Sequence, residues 1–287
     1  MINEPVLLIP SFRSGRETPW AGDVLRRNFE KYTLGNKIGE SYDFSLLPDL
    51  ESSTPDGERL SEVLSRAGLL PKHIPFLIKW VDASDAMSVH VHPFDEYLVA
   101  VRTEKNALLT DGFADGVTKE YLEKILLSES PESAFLTRTI RPGDVIHIPA
   151  GTPHALRGVT CYQIQPQSGE SFRLFDWNRT NARGQKRAIQ YEKAISAAAC
   201  GRASISAPDS GVLIRTPAYS VRRIAADTQQ LTIDGRFAVL TCIQPAHIIL
   251  SSDRHLYLSA GQSVFIPNAA IPCTITTNDC LLAVSDV

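Results

Sequence analysis

Four residues in two short segments have the types and spacing of a metal site. His90, His92 and Glu96 form an H-x-H-x-x-x-E array within MSVHVHPFDE, and GDVIHIPAGTPH ends on a further histidine, His154. Neutral imidazole nitrogens and a carboxylate oxygen suit Zn, Fe, Mn, Co or Ni, whereas Ca and Mg prefer all-oxygen shells. Three histidines and one acid around one ion leave a position for water or substrate, which a catalytic metal needs. His90, His92, Glu96 and His154 are therefore the candidate ligands of one divalent metal. His147 reads as structural, and His73, His247 and His255, with no partner at ligand spacing, read as ordinary.

These residues need particular elements to bring them together. Side chains alternate across a strand, so His90 and His92 share one face while Val89 and Val91 share the other. Pro93 has no N–H for the ladder, so the chain can turn there and carry Glu96 back towards the imidazoles. In the second segment, Gly143-Asp144 reads as a turn and Val145 to Ile148 as a short strand. Pro149-Ala150-Gly151 then makes a second turn that presents His154. Elsewhere, Val6 to Pro10 and Phe76 to Asp82 read as strands. Helices are expected from the Pro55-Asp56-Gly57-Glu58 turn to about Ala67, from Thr118 (as N-cap) to Leu127, and from Tyr191 to Ala199. Arg13 and Arg16 lie in a loop, either as solvated surface or as cations near an anionic ligand.

Both metal-site segments match the paired motifs of the cupin superfamily, small β-barrels of the jelly-roll type. The chain further resembles type I mannose-6-phosphate isomerases, particularly their short bacterial and archaeal branch. The likeness is carried, in chain order, by Pro19-Trp20-Ala21-Gly22 with Leu25, Ile38 to Phe44 (IGESYDF), and Leu77-Ile78-Lys79. It continues through Ser88 to Pro93 (SVHVHP), Gly151 to Leu156 (GTPHAL) and Phe172 to Asp176 (FRLFD). The resemblance implies a zinc held by a Gln-x-His pair, a Glu and a later His. His92, Glu96 and His154 fill three of these places, and His90 stands where Gln is usual. It also implies that Arg173 lies beside the reacting sugar carbons and that Lys79 and Ser88 line the substrate pocket.

Three departures from the family pattern bear on the substrate. Phe94 stands where an active-site lysine is usual, which removes a cation that could serve a phosphate. The loop before Glu96 is shortened to Phe94-Asp95. Gln163, a further pocket residue, stands where many relatives have an acid, which removes a candidate proton carrier.

The expected fold is mainly β, with two cupin-like jelly-roll β-barrel domains and a few short helices. Residues 1–200 form the metal-binding unit, the Ser-, Ala- and Pro-rich Gly201 to Gly211 stretch a linker, and residues 211–287 a metal-free cupin-like unit. The second unit is read from an echo. Gly261 to Pro272 follows the frame of Gly143 to His154, with Pro272 in the place of His154.

The chain has 287 residues and a formal net charge of −3, which gives no electrostatic case for nucleic acid or an anionic membrane. No apolar run approaches the roughly 20 residues needed to span a bilayer, and the N-terminal segment reads as no signal peptide. Five scattered cysteines without C-x-x-C read as buried thiols in a reducing compartment, the cytoplasm.

The expected activity is metal-dependent interconversion of mannose 6-phosphate and fructose 6-phosphate through an enediol. Arg173 and Glu96 are the candidate catalytic residues, the base being a metal-bound hydroxide, Glu96 if it leaves the metal, or an acid elsewhere, and Lys79, Ser88 and Gln163 bind the small sugar phosphate. The protein is expected to be a monomer or homodimer. The alternatives are an isomerase of another sugar, an Fe(II) cupin dioxygenase, and a non-catalytic sugar-binding regulator.

Overall fold

Strand-forming runs separated by Gly and Pro turns occupy most of the chain, and the computed structural model is correspondingly β-rich. It describes all residues except Met1, Leu34, Asn36, Ala182, Asp209, Ser210, Thr232, Asp234, residues 251–253, Ile271 and Val287. The side chains of Lys119, Glu120, Ala226 and Asp227 are also left undescribed. In chain order come β1 (Val6–Leu8), β2 (Ser11–Ser14), α1 (Val24–Phe29), β3 (Ile38–Phe44), α2 (Leu60–Arg66) and β4 (Leu77–Ala83). There follow β5 (Val89–Val91), β6 (Glu96–Phe113), α3 (Lys119–Leu126), β7 (Phe135–Thr139), β8 (Val145–Ile148), β9 (His154–Gln165) and β10 (Phe172–Phe175). After α4 (Tyr191–Ala197) come β11 (Ser204–Ser206), β12 (Gly211–Arg215), β13 (Tyr219–Leu231) and β14 (Phe237–Cys242). The chain finishes with β15 (Ala246–Leu250), β16 (His255–Leu258), β17 (Ser263–Pro267) and β18 (Cys273–Ser285).

Two sheets result. The ten-stranded one runs β11-β8-β6-β9-β4-β3-β2, with β7 on β6 and the β5–β10 pair on β9. The eight-stranded one runs β1-β17-β14-β18-β13-β12, with β15 on β18 and β16 on β15. The order β8-β6-β9-β4-β3 in the first matches β17-β14-β18-β13-β12 in the second. The strands β8 and β17 each follow a glycine at positive φ, Gly143 at 91° and Gly261 at 84°. Only glycine takes this conformation without a steric penalty. The sequence echo therefore marks one position in a repeated strand order.

Two expectations are corrected within a fold that is otherwise as expected, mainly β and cupin-like, with neither sheet's hydrogen-bonded path closing into a ring among the described residues. The sheet flanks are extended by short strands: β1 pairs with β17, and β11 with β8. The strand β11 falls inside the stretch expected to be a linker, where Ile205 packs on the apolar core between two serines, an alternation too short to register as a strand. The helix expected from Pro55 begins only at Leu60, because Thr54 to Gly57 closes a turn (Gly57 N–H to the Thr54 carbonyl, 3.0 Å) with Gly57 at φ 88°.

Aromatic side chains from both sheets form a shared core. The Phe44 ring lies 5.8 Å from Phe237 and 6.4 Å from Phe265, and Phe76 meets Tyr219 edge-on at 5.3 Å. A buried polar knot sits beside it. Asp43 of β3 accepts hydrogen bonds from Lys31 Nζ (2.6 Å), Ser41 Oγ (2.6 Å) and, across the sheets, Ser263 Oγ (2.9 Å). Of the cysteines, Cys161, Cys242, Cys273 and Cys280 are buried, but Cys200 is exposed, contrary to expectation. No described helix is long and apolar enough to cross a membrane.

Candidate active site

Strand register builds the site. Arg173 of β10 lies opposite His90 of β5, and His90 lies opposite His154 of β9. Side chains directly opposite one another emerge on the same sheet face, so these three form a row. A second row crosses β3, β4, β9 and β6 through Tyr42, Lys79, Gln163 and Leu98. Both rows, with His92 and Glu96, line a cavity of about 380 Å³.

The three imidazoles are locked in one tautomer. Each Nδ1 faces a backbone carbonyl: His90 that of Ser88 at 2.9 Å, His92 that of Glu170 at 2.6 Å, and His154 that of Thr152 at 2.8 Å. A carbonyl can only accept, so each Nδ1 carries a proton, and in the neutral imidazole Nε2 is the nitrogen left with a lone pair. The free ligand atoms of His90, His92 and His154 lie within 4.8 Å of one another.

Glu96 stands against the same point, with Oε1 2.8 Å from His154 Nε2 and Oε2 3.5 Å from His92 Nε2. His154 Nε2 is buried and makes no hydrogen bond. Lone pairs and a carboxylate converging in a buried space repel one another unless a cation lies between them, and nitrogen with oxygen is the donor set of a transition metal or zinc. The residues present therefore fit a divalent metal. Burial pushes the pKa of His92 down to about 4 and that of His90 well below its ordinary value. Burial pushes the Glu96 pKa upward, but His154 and His92, in any state where a ring carries its second proton, outweigh it and lower it.

The remaining expected residues are all at the cavity, several with their hydrogen bonds already engaged. Gln163 Nε2 donates to Glu96 Oε2 at 2.6 Å and to Gln165 Oε1 at 2.7 Å. Because the carboxylate only accepts, the amide orientation is fixed. Lys79 Nζ is 2.6 Å from Glu40 Oε1, a buried pair that also receives the Tyr42 hydroxyl at 3.2 Å and faces Arg13 at 3.5 Å. Burial raises the Glu40 pKa, but Lys79 and Arg13 outweigh it and hold the carboxyl low, while the same contacts keep Lys79 protonated despite burial. Phe94 stacks on the His92 ring at 4.9 Å. Next to it, Asp95 accepts from the Ala150 N–H (2.9 Å) and contacts His147 Nε2 (2.9 Å), fastening the shortened loop to the turn after β8. That contact, with Tyr97 stacked at 4.5 Å, agrees with a structural His147.

Spacing along the chain gave no roles to Glu40, Asp176, Arg187 or Gln190, which reach the site only through sheet pairing and the loop after β10. Glu40 and Asp176 do fall inside family-like motifs, and that was the available signal. Arg13, in β2 rather than in a loop, is half-buried and Arg16 is exposed, and both line the cavity. His247 and His255 are not isolated as expected. Their ring nitrogens are 2.9 Å apart on β15 and β16, with Tyr257 stacked on His247 at 4.3 Å, a pairing created by the hairpin.

No protein-family model matches the chain. Among curated proteins it is 30% identical over 220 aligned positions to Probable mannose-6-phosphate isomerase GmuF of Bacillus subtilis, covering 68% of each chain. The chain belongs to the mannose-6-phosphate isomerase family. It is also 26% identical over 219 positions to Mannose-6-phosphate isomerase ManA of the same organism, again covering 68% of each. Among solved structures, the mannose 6-phosphate isomerase of Bacillus subtilis superposes with a TM-score of 0.83 at 23% identity, over 99% of this chain and all of that one. The Salmonella typhimurium mannose 6-phosphate isomerase bound to fructose 6-phosphate and zinc has a TM-score of 0.71 at 14% identity, over 99% of this chain and all of that one. These likenesses establish the isomerase fold over the chain's whole length. Family membership makes the chain an isomerase.

Proposed function

We propose that the chain interconverts mannose 6-phosphate and fructose 6-phosphate through an enediol, using one divalent metal, zinc first among the candidates. His90, His92, Glu96 and His154 would hold it. The observation that carries this reading is the convergence of three Nε2 atoms, each ring fixed by a carbonyl at its Nδ1, on the Glu96 carboxylate. When bound, the metal supplies Lewis-acid polarisation of the sugar's C1 and C2 oxygens.

The chain's own residues account for the rest. In the forward direction the C2 proton leaves, its electron pair becomes the C1–C2 double bond, and the C1 carbonyl oxygen takes up negative charge. Protonation of the C1 oxygen, return of a proton to C1 and loss of the C2 hydroxyl proton then give the ketose, so that two protons leave and two return. The guanidinium of Arg173, in the same cross-strand row as His90 and His154, offers fixed positive charge to the enediolate oxygens. Glu96 is charged and can accept a proton. Lys79 and Glu40 neutralise one another, so they serve as a rigid polar wall with Gln163 beside it. Arg13 and Arg16 supply the cations for the phosphate in a chain whose lysine position is Phe94. Residues 1–200 carry this site, and 211–287 form a cupin-like unit without a metal.

Running the reaction in D2O tests the enediol. Deuterium at C1 of the fructose 6-phosphate formed supports proton transfer, whereas product with none at all indicates a hydride shift and contradicts the proposal.

A further inference from the structure

The Ser88 hydroxyl has no capacity left for substrate. It donates to Asp176 Oδ1 at 2.8 Å and accepts from Arg173 Nε at 3.2 Å and from Arg187 Nη2. A serine hydroxyl has one proton and two lone pairs, so these contacts exhaust it. The direction of each is forced, since a guanidinium only donates and an ionised carboxylate only accepts. Asp176 is in turn fixed by Arg187, whose Nε and Nη2 reach its two oxygens at 2.8 Å each, and by Arg179 Nη2 at 2.6 Å. Both Ser88 and Asp176 are buried, at 7% and 6% exposure.

Arg173 is the opposite case. Its Nε is bound to Ser88 Oγ, its Nη1 to the Ala188 carbonyl at 2.6 Å, and its backbone N–H to Gln190 Oε1 at 2.9 Å. Among the described residues Nη2 has no partner, and the side chain lines the cavity.

We infer that Ser88 is a positioning residue: braced by Asp176 and Arg187, its hydroxyl fixes the Arg173 guanidinium so that the Nη2 edge stays available to the substrate. The carbonyl of the same serine holds His90 Nδ1, so one residue sets the metal ligand with its backbone and the arginine with its side chain. This inference rests on the reading that Arg173 acts on the sugar phosphate.

Ser88→Ala separates the two attachments, because it keeps the carbonyl and removes only the hydroxyl. It should leave metal stoichiometry unchanged and lower kcat about tenfold, the equivalent of one lost hydrogen bond to a charged group, with KM within about twofold. Ser88→Thr, which keeps a hydroxyl, should restore most of the rate. In an Arg173→Lys background, Ser88→Ala should cause no further loss. Additive losses in that double variant, or a loss confined to KM, would overturn the inference. A readout independent of turnover is solvent exchange of the Arg173 Nε–H by NMR, assigned through Arg173→Lys. Exchange about tenfold faster in Ser88→Ala supports the lock. Unchanged exchange refutes it, whatever the activity, whereas an inactive wild type with the expected exchange would count against the proposed function alone.

Discussion

Arg173 and His90 are direct cross-strand partners on β10 and β5, and His90 is paired in the same way with His154 on β9. The arginine proposed to act on the sugar and two proposed metal ligands are therefore placed by one register. A slip of one residue in β10 would turn Arg173 to the opposite face. A bulge between Arg173 and Phe175 shows where the ladder accommodates the chain leaving that register.

Loss of a ligand should remove metal and activity together. His92→Ala and His154→Ala are each expected to lose bound metal and turnover while remaining folded. Metal analysis beside circular dichroism checks this. Full stoichiometry in either variant would show that the metal is held elsewhere.

Arg173→Ala should behave differently. Metal content is expected to stay at the wild-type level while kcat falls about 10²- to 10³-fold, the usual effect of removing one preorganised charge donor. Unchanged steady-state kinetics would remove Arg173 from the mechanism.

The polar knot between the sheets gives a stability prediction. Lys31 and Asp43 are buried at 5% and 1% exposure, so deleting one partner strands a charge. Asp43→Ala is expected to destabilise by about 3–5 kcal/mol. Replacing both partners by apolar residues should cost much less. Urea midpoints of the single and double variants compare the two, and a double variant no better than the single would contradict the stranded-charge account.

Asp176 supplies a pH dependence. Burial pushes its carboxyl up, but hydrogen bonds from Arg187, Ser88 and Arg179 prevail and hold it at about 2. An unfolded aspartate titrates near 3.9, so the folded state favours the charged form. The resulting stabilisation is fully present above about pH 4 and is lost as pH falls through 2. The stability difference between wild type and Asp176→Asn should thus be constant from pH 7 to 5 and shrink below 4. A difference that grows on acidification would reverse the sign and refute the assignment.

The candidate ligands were legible in the sequence because strand alternation and a proline fix their geometry locally: His90 and His92 share a face for reasons contained in five residues. The repeated glycine turns before β8 and β17 were legible for the same reason. Partners set by pairing between distant strands were not. Nothing in the chain near Lys79 announces Glu40, 39 positions away. Nor does spacing show that Ser88 is spanned by Arg173 of β10 and by Arg187 and Asp176 from the loop after it. The strand β11 was hidden because three residues on an edge carry too little alternation to stand out from a Ser- and Ala-rich stretch.

The most direct measurement is conversion of mannose 6-phosphate to fructose 6-phosphate by purified protein of known metal content, before and after EDTA and after return of zinc. The account predicts turnover that EDTA abolishes and zinc restores. Stoichiometric metal bound through His90, His92, Glu96 and His154 with no turnover of this sugar would contradict it.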